Sequence, residues 1–229
     1  MQLTQISLLL SDNGRARAYV SCLLQASLVP ASAIIVEYPN LIAAPAQFHD
    51  TNLFNNHQPV EQQLIDAGID IEVVRAQGIN DPQVIHAIGR VIQDVVIFAA
   101  SAGSLLRKPF FELGKTFIHV HPGRLPDYRG STPMYYSLLR ENHLTMTAFI
   151  MAEQLDAGAI LMERRFPGPT KRTDIDVVYD PYLRACVMVE VMQYWATHQR
   201  LPEARKPQGD GQTYYVIHPV LKHIALLAQ

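Results

Sequence analysis

Asp94-Val95-Val96-Ile97-Phe98-Ala99-Ala100 is a near-unbroken apolar run of strand length, rich in β-branched residues. A strand buried on both faces reads this way, whereas a strand with one wet face alternates. Ile6-Ser7-Leu8-Leu9-Leu10 is a second such run, and Ala33-Ile34-Ile35-Val36-Glu37, ended by Pro39, is a third. Ile69-Asp70-Ile71-Glu72-Val73-Val74 alternates like a strand. Segments of helical character stand between them: Arg15 to about Ala26, after the turn Ser11-Asp12-Asn13-Gly14; Gln62 to Ala67; and a stretch capped by Asn80, with Pro82 in its first turn, that runs to Gln93. Strands of this kind separated by helices predict a mostly parallel sheet covered on both faces, an α/β fold of the doubly wound type. Residues 40–60, rich in Asn, His and Pro, read as a long loop.

Downstream, Leu105 to Leu113 reads as a helix and Thr116-Phe117-Ile118-His119-Val120-His121 as a further strand. Pro122, Gly123, Pro126 and Gly130 make the next segment an ordered loop, and Ser131 or Thr132 caps a helix with Pro133 in its first turn. Thr145 to Met151 is a strand, with Gly158 to Arg164 as its hairpin-like partner. Thr173 caps a helix, and Asp180-Pro181 starts another that reaches about His198. Trp195, at helical spacing from Val191 and Met188, falls on its core side. A turn at residues 208–212 precedes Tyr214-Tyr215-Val216-Ile217. No internal repeat or interdomain linker interrupts the chain. The expected organisation is a single catalytic domain over 1–172, with 173–229 as a C-terminal helix and short extension packing on it.

Composition bounds the function classes. The chain has 229 residues, 48% apolar and 17% charged, with a formal net charge of -2. No Lys/Arg run exceeds two residues, which argues against a nucleic-acid groove, where a basic patch supplies most of the binding energy. A small anionic ligand stays open. Cys22 and Cys186 both sit in apolar helical stretches and read as buried free thiols. No apolar stretch approaches the roughly 20 residues needed to span a bilayer. Met1 to Gln5 brings no basic segment ahead of the first apolar run, against a signal peptide. The expectation is a cytoplasmic protein.

The chemistry gathers at the end of the Thr116–His121 strand. Side chains two apart on a strand point the same way, so His119 and His121 project from one face near its C-terminal end. Open parallel sheets bind ligands at that end, near the topological switch point. Two imidazoles there can accept a proton from an attacking amine and donate to a developing oxyanion. A carboxylate could fix the tautomer, and the turn Glu153-Gln154-Leu155-Asp156-Ala157-Gly158 offers Asp156. From the residues alone, a structural role for His121 stands beside the catalytic one. His119, His121 and Asp156 also have the make-up of a two-histidine, one-carboxylate metal set, although no metal is expected.

The stretch His119-Val120-His121-Pro122-Gly123-Arg124-Leu125-Pro126-Asp127-Tyr128-Arg129-Gly130-Ser131-Thr132-Pro133 resembles the signature of the folate-dependent formyltransferase family: Asn-x-His-Pro, then Leu-Pro, Tyr-Arg-Gly and a proline shortly after. Leu155-Asp156-Ala157-Gly158-Ala159-Ile160-Leu161 resembles its second signature. The resemblance covers roughly residues 5–170. It implies a Rossmann-like domain binding 10-formyltetrahydrofolate, on which an amine attacks the formyl carbon. It implies that His121 stabilises the oxyanion and takes part in proton transfer, and that Asp156 holds His121. It further implies that backbone groups near Ser104, Leu105, Leu106, Ala152 and Gln154 bind the pterin. The family carries Asn where this chain has His119, which puts the transfer of the full mechanism in question.

About 60 residues after Arg172 are too few for the tRNA domain of methionyl-tRNA formyltransferases, so the expected acceptor is a small amine: an amino sugar nucleotide or an amino acid derivative. Neither nucleic acid nor membrane is an expected partner, and a homodimer is compatible with the reading. Asp12 and Asn13, at a helix start suited to an anion, and Tyr128 and Arg129 are the acceptor-side candidates. A plain strand-to-helix turn, and an arginine packing its own loop, are the structural alternatives. The Tyr214 to Pro219 run either lines the acceptor pocket or packs back as an edge strand. A 10-formyltetrahydrofolate hydrolase and a non-catalytic folate-binding homologue remain the alternative functions.

Overall fold

The computed structural model describes residues 1–39, 52–101, 103–170 and 173–227, so most of the loop expected at 40–60 lies outside the described residues. It forms two compact units, Met1–Ile118 and His119–Gln229.

The first unit alternates β1 (Gln2–Leu10), α1 (Gly14–Gln25), β2 (Val29–Glu37), α2 (Val60–Asp66), β3 (Asp70–Arg75), α3 (Pro82–Arg90), β4 (Val95–Ala99), α4 (Lys108–Phe111) and the start of β5 (Thr116–His121). All its strand pairings are parallel, with β1 between β2 and β4. Every residue of β4 is buried, as is every residue from Ile6 to Leu10. The doubly wound α/β class expected from those runs is therefore the observed one. Because β2 and β3 lie to one side of β1 and β4 lies to the other, the switch in strand order falls between β1 and β4.

Two local expectations change. The helix read over Leu105–Leu113 is confined to Lys108–Phe111. Pro109 has no N–H and is tolerated only in a first turn, so it fixes the start of α4. Asn80 does not cap α3; Asp81 takes that position. The Asn80 amide instead donates to the Leu105 carbonyl oxygen at 2.8 Å and accepts from the Arg107 N–H at 2.8 Å, which ties down the extended segment before α4.

The second unit holds the end of β5, β6 (Arg129–Gly130), α5 (Pro133–Glu141), β7 (His143–Ile150), β8 (Ile160–Pro167), a π-helical turn (Ile175–Tyr179), α6 (Asp180–His198), β9 (Thr213–Tyr214) and α7 (Pro219–Leu227). In the first unit the strands follow the order β3-β2-β1-β4-β5, and in the second β7 lies between the end of β5 and β8. β7 and β8 are the expected hairpin-like pair, antiparallel from His143↔Pro167 to Phe149↔Ile160. Asp174, not Thr173, caps the turn before α6, its carboxylate accepting from the Val177 N–H at 3.1 Å. Cys22 is buried, but Cys186 is only half-buried, and Trp195 likewise stands at the margin of the core. Neither cysteine is in a disulfide among the described residues.

The C-terminal segment packs back as a strand: β9 pairs in parallel with β6. Gly211 and Gly130 permit the approach, since a Cβ would lie 2.1 Å from the Pro126 carbonyl oxygen at the one and 2.2 Å from that of Tyr214 at the other. Thr132 stands at the start of α5 in the left-handed region (φ 50) and does not cap it. Its hydroxyl accepts from the Ile217 N–H at 2.9 Å. α7 has no counterpart in the sequence reading, although Pro219 at its first turn was a usable start signal. Lys222 anchors it, paired with Asp176 and 5.1 Å above the Tyr135 ring. Among the described residues no helix is long and apolar enough to cross a membrane.

Candidate active site

β5 delivers His121 at its last position, where Pro122-Gly123 turns the chain away. His121 is 3% exposed. Nε2 lies 2.6 Å from the Tyr128 carbonyl oxygen, and Nδ1 lies 3.5 Å from Asp156 Oδ1. A carbonyl oxygen only accepts, so Nε2 carries the hydrogen in the neutral ring, and Nδ1 then faces the carboxylate with a lone pair. One N–H thus stands between two acceptors, and a second proton would satisfy both.

The surroundings are built for this placement. A Cβ at Gly123 would stand 2.6 Å from the Tyr128 carbonyl oxygen and 3.1 Å from His121 Nε2, so only glycine lets the loop close over the imidazole. The Thr147 hydroxyl, from β7, holds the Gly123 carbonyl oxygen at 2.7 Å. Asp156 is buried at φ 49, and its second oxygen accepts from the Gly130 N–H at 2.9 Å. One carboxylate oxygen is therefore held by the motif glycine, and the other faces the imidazole Nδ1.

Burial is the largest influence on His121 and holds its pKa below the usual imidazole value; the Asp156 carboxylate and the Tyr128 carbonyl oppose it. The sign for stability follows. The folded ring resists a proton that the unfolded ring accepts near pH 6.5. Its contribution is complete above that value and is lost as pH falls through the lower folded pKa. Urea unfolding midpoints are expected to drop between pH 7.5 and 5.5 by more in the wild type than in His121→Gln. Equal drops in the two proteins would refute the assignment.

The other expected site residues fall as follows. His119 is half-buried, with its ring edge-on to Phe149 at 6.0 Å and 79°. Phe149 clusters with Leu125 and Ile160. Ala152 and Gln154 lie exposed on the same turn as Asp156. The Tyr128 side chain is buried; it donates to Glu141 at 2.8 Å and stacks on Tyr214 at 5.3 Å. Burial and Glu141 push its phenol up to about 12. Arg129 donates to the Asp210 carbonyl oxygen at 3.0 Å. In the first unit, Asp12 pairs with Arg17 through both oxygens at 2.8 Å. The Asn13 oxygen caps α1 at the Ala16 N–H, and its amide donates to the Ser11 and Ala99 carbonyl oxygens. Ser104 N–H donates to the Ser101 carbonyl oxygen, Leu105 is exposed and Leu106 is buried. Among the described residues no group of three or more His, Cys, Asp or Glu is arranged to hold a metal ion, so the two-histidine, one-carboxylate reading has no geometric counterpart there.

Two partners escaped the sequence reading. Tyr128 was read by its side chain, yet its carbonyl oxygen meets His121. Gly130 was read as loop punctuation, yet its N–H holds Asp156. Gly130 takes a positive φ of 91, which its residue type permits, but the use of its N–H left no signal in the sequence.

Residues 6–177 match the family described as formyl transferase. Methionyl-tRNA formyltransferase from Syntrophus aciditrophicus (strain SB) is 30% identical over 156 residues, 66% of this chain and 48% of that relative. The chain spans about half the length, or less, of the curated relatives it matches. The fold is similar to that of a sugar N-formyltransferase from Shewanella sp FDAARGOS_354, with a TM-score of 0.61 and 16% identity over 98% of this chain and 87% of that one. It is also similar to the N-formyltransferase from Helicobacter canadensis in complex with folinic acid and dTDP-3-aminofucose, with a TM-score of 0.59 and 12% identity over 93% of this chain and 71% of that one.

Proposed function

The chain belongs to the formyl transferase family, and from that premise we propose that it moves a formyl group from 10-formyltetrahydrofolate to the amine of a small molecule. The observation that carries the reading is the buried His121 ring between the Tyr128 carbonyl oxygen and an Asp156 carboxylate fixed by Gly130. The bound folate would supply the formyl carbon. As an amine would add there, with the bond from the formyl carbon to the folate nitrogen breaking afterwards and that nitrogen leaving protonated in tetrahydrofolate, oxygen would gain negative charge and the amine nitrogen must shed a proton. His121, held neutral by burial, is ready to accept it. The charged ring then gains a second N–H for Asp156, in a dry site where that pairing is strong. Its Nε2–H serves an oxyanion only by giving up the Tyr128 carbonyl oxygen, so productive binding exchanges one acceptor for another. His119 takes the donor role of the family's asparagine.

The residues fit a folate in kind. Ala152, Gln154 and the 41%-exposed Leu155 form an exposed turn beside Asp156, and Leu105 is a 51%-exposed apolar side chain between Ser104 and Leu106. A flat ring with an amide-like edge suits such apolar contacts next to backbone groups. On the acceptor side, the Asp12 and Asn13 side chains are engaged in the fold, so an anion there would meet backbone groups at the start of α1; Tyr128 and Arg129 are the acceptor-side candidates of the second unit. An amino sugar nucleotide or an amino acid derivative is the favoured acceptor. The net charge of -2 and the lack of basic runs support a small acceptor over nucleic acid.

The test is a panel of amino sugar nucleotides and amino acid derivatives with 10-formyltetrahydrofolate, following tetrahydrofolate release. Release is expected only when an accepted amine is present. Equal release without amine would replace the transferase with a hydrolase. Folate binding with no turnover for any amine would leave a binding module.

A further inference from the structure

The match to the family model ends at residue 177, and the next elements place a buried ion pair against β5. Asp180 and Arg184, one turn apart on α6, are 6% and 8% exposed. Arg184 Nε donates to Asp180 Oδ1 at 2.9 Å, and Nη2 meets Oδ2 at 2.8 Å. The remaining prong, Nη1, donates to the Val120 carbonyl oxygen at 3.2 Å. Val120 immediately precedes His121. The planar guanidinium can hold a carboxylate with two nitrogens and a strand carbonyl with the third, which an ammonium group cannot.

Buried ion pairs are weak contributors to stability, because well-packed apolar groups usually do as well. This one has a second property. The charged groups facing the His121 ring are Asp156 from the turn before β8 and both members of the α6 pair; Tyr128 presents a carbonyl oxygen. Arg184 disfavours a protonated ring and Asp180 favours it, with Asp156 acting in the same direction as Asp180.

We propose that Arg184, oriented by Asp180, is a positioning residue for His121, fixing the end of β5 through the Val120 carbonyl oxygen and setting the charge that the ring meets from α6. The inference rests on His121 being the proton-accepting group of the proposed function.

The test uses the full chain and two readouts. The first is an NMR titration of the His121 imidazole, identified by its absence in His121→Gln; it needs no substrate. Arg184→Met keeps the apolar stem and removes the cation, so the midpoint is expected to rise. Asp180→Asn removes the anion, so the midpoint is expected to fall. A general loosening of the core would not move the two in opposite directions. The second readout is turnover. Arg184→Lys keeps the charge and loses the fork; its midpoint is expected to stay near that of the wild type, while kcat falls on the order of tenfold with KM little changed. Unmoved midpoints in Arg184→Met and Asp180→Asn, or shifts of the same sign, overturn the proposal. Where either variant does not fold, wild-type kcat in Arg184→Lys overturns it instead. A wild type that turns over no folate removes the proposed function and leaves the titration to decide the positioning.

Discussion

Replacing His121 by glutamine is expected to lower kcat/KM by at least about 10³-fold while the protein stays folded. The estimate combines loss of a general base, worth about 10²–10⁴-fold, with damage to an oxyanion donor worth about 10²–10³-fold. Effects within one constellation do not multiply, so a loss nearer the lower end of the product is expected. Glutamine is the informative substitution because its amide still donates to the Tyr128 carbonyl oxygen, the acceptor now 2.6 Å from Nε2. Neither that carbonyl nor Asp156, which keeps the Gly130 N–H, is then left buried without a partner, and the circular dichroism spectrum should be unchanged. What glutamine cannot do is take up a proton. A variant retaining more than a tenth of wild-type activity would remove His121 from the chemistry.

The largest expected loss of stability comes from Gly158→Ala. A Cβ at this position would sit 1.6 Å from the Ile150 carbonyl oxygen and 2.8 Å from its carbon, with Phe149 Cδ2 at 3.2 Å. The first two neighbours are backbone and cannot swing aside. Ile150 N–H donates to the Ala159 carbonyl oxygen at 2.8 Å, so the clash falls where the β7–β8 hairpin closes. Relief must come from moving either the end of β7 or the turn that carries Asp156. Overpacking ordinarily costs about 1–3 kcal/mol, and a backbone contact this close should exceed that range or prevent folding. Gly78→Ala is the control: its nearest neighbour would be the Asp81 carboxylate at 3.8 Å, an ordinary contact. It is expected to stay within about 0.5 kcal/mol of the wild type. Urea unfolding measures both, and a Gly158→Ala midpoint equal to the control's would refute the argument.

The parts of the molecule legible in the sequence were those that residue type controls. The apolar runs of β1, β2 and β4 announced a parallel core because only a strand covered on both faces dispenses with alternation. His121 and Asp156 were candidates because imidazole and carboxylate suit proton transfer and, beside His119 and Glu153, little else in their segments does; the two do meet, at 3.5 Å. The remainder of the site is made of backbone. Any residue at position 128 would present a carbonyl oxygen, so no feature of tyrosine could reveal that His121 uses it. The same holds for the N–H of Gly130. Polar side chains with several options were read wrongly for a related reason. Asn80 and Thr132 stand at helix starts, where capping is the common use of such groups, but distant partners, Leu105 with Arg107 and Ile217, took them. Arg184 looked like one more helix residue, and only the crossing of α6 past β5 gave its third nitrogen a purpose.

The pairing of β9 with β6 also bears on how the protein is made. The bond from Ile217 to Thr132 spans 85 positions, and the one from Arg129 to Asp210 spans 81. Gly130, whose N–H holds Asp156, lies between positions 129 and 132, the two points that these bonds tie to the C-terminal segment. During synthesis the imidazole and its carboxylate leave the ribosome long before the segment that seats their support. Contacts of such long sequence separation form late, because closing the intervening loop costs entropy that local contacts do not. The fold's helices and central strands can assemble first, and the support of Asp156 is completed later. A growing polypeptide therefore holds His121 and Asp156 in an unfinished setting until residues 210–217 have been made.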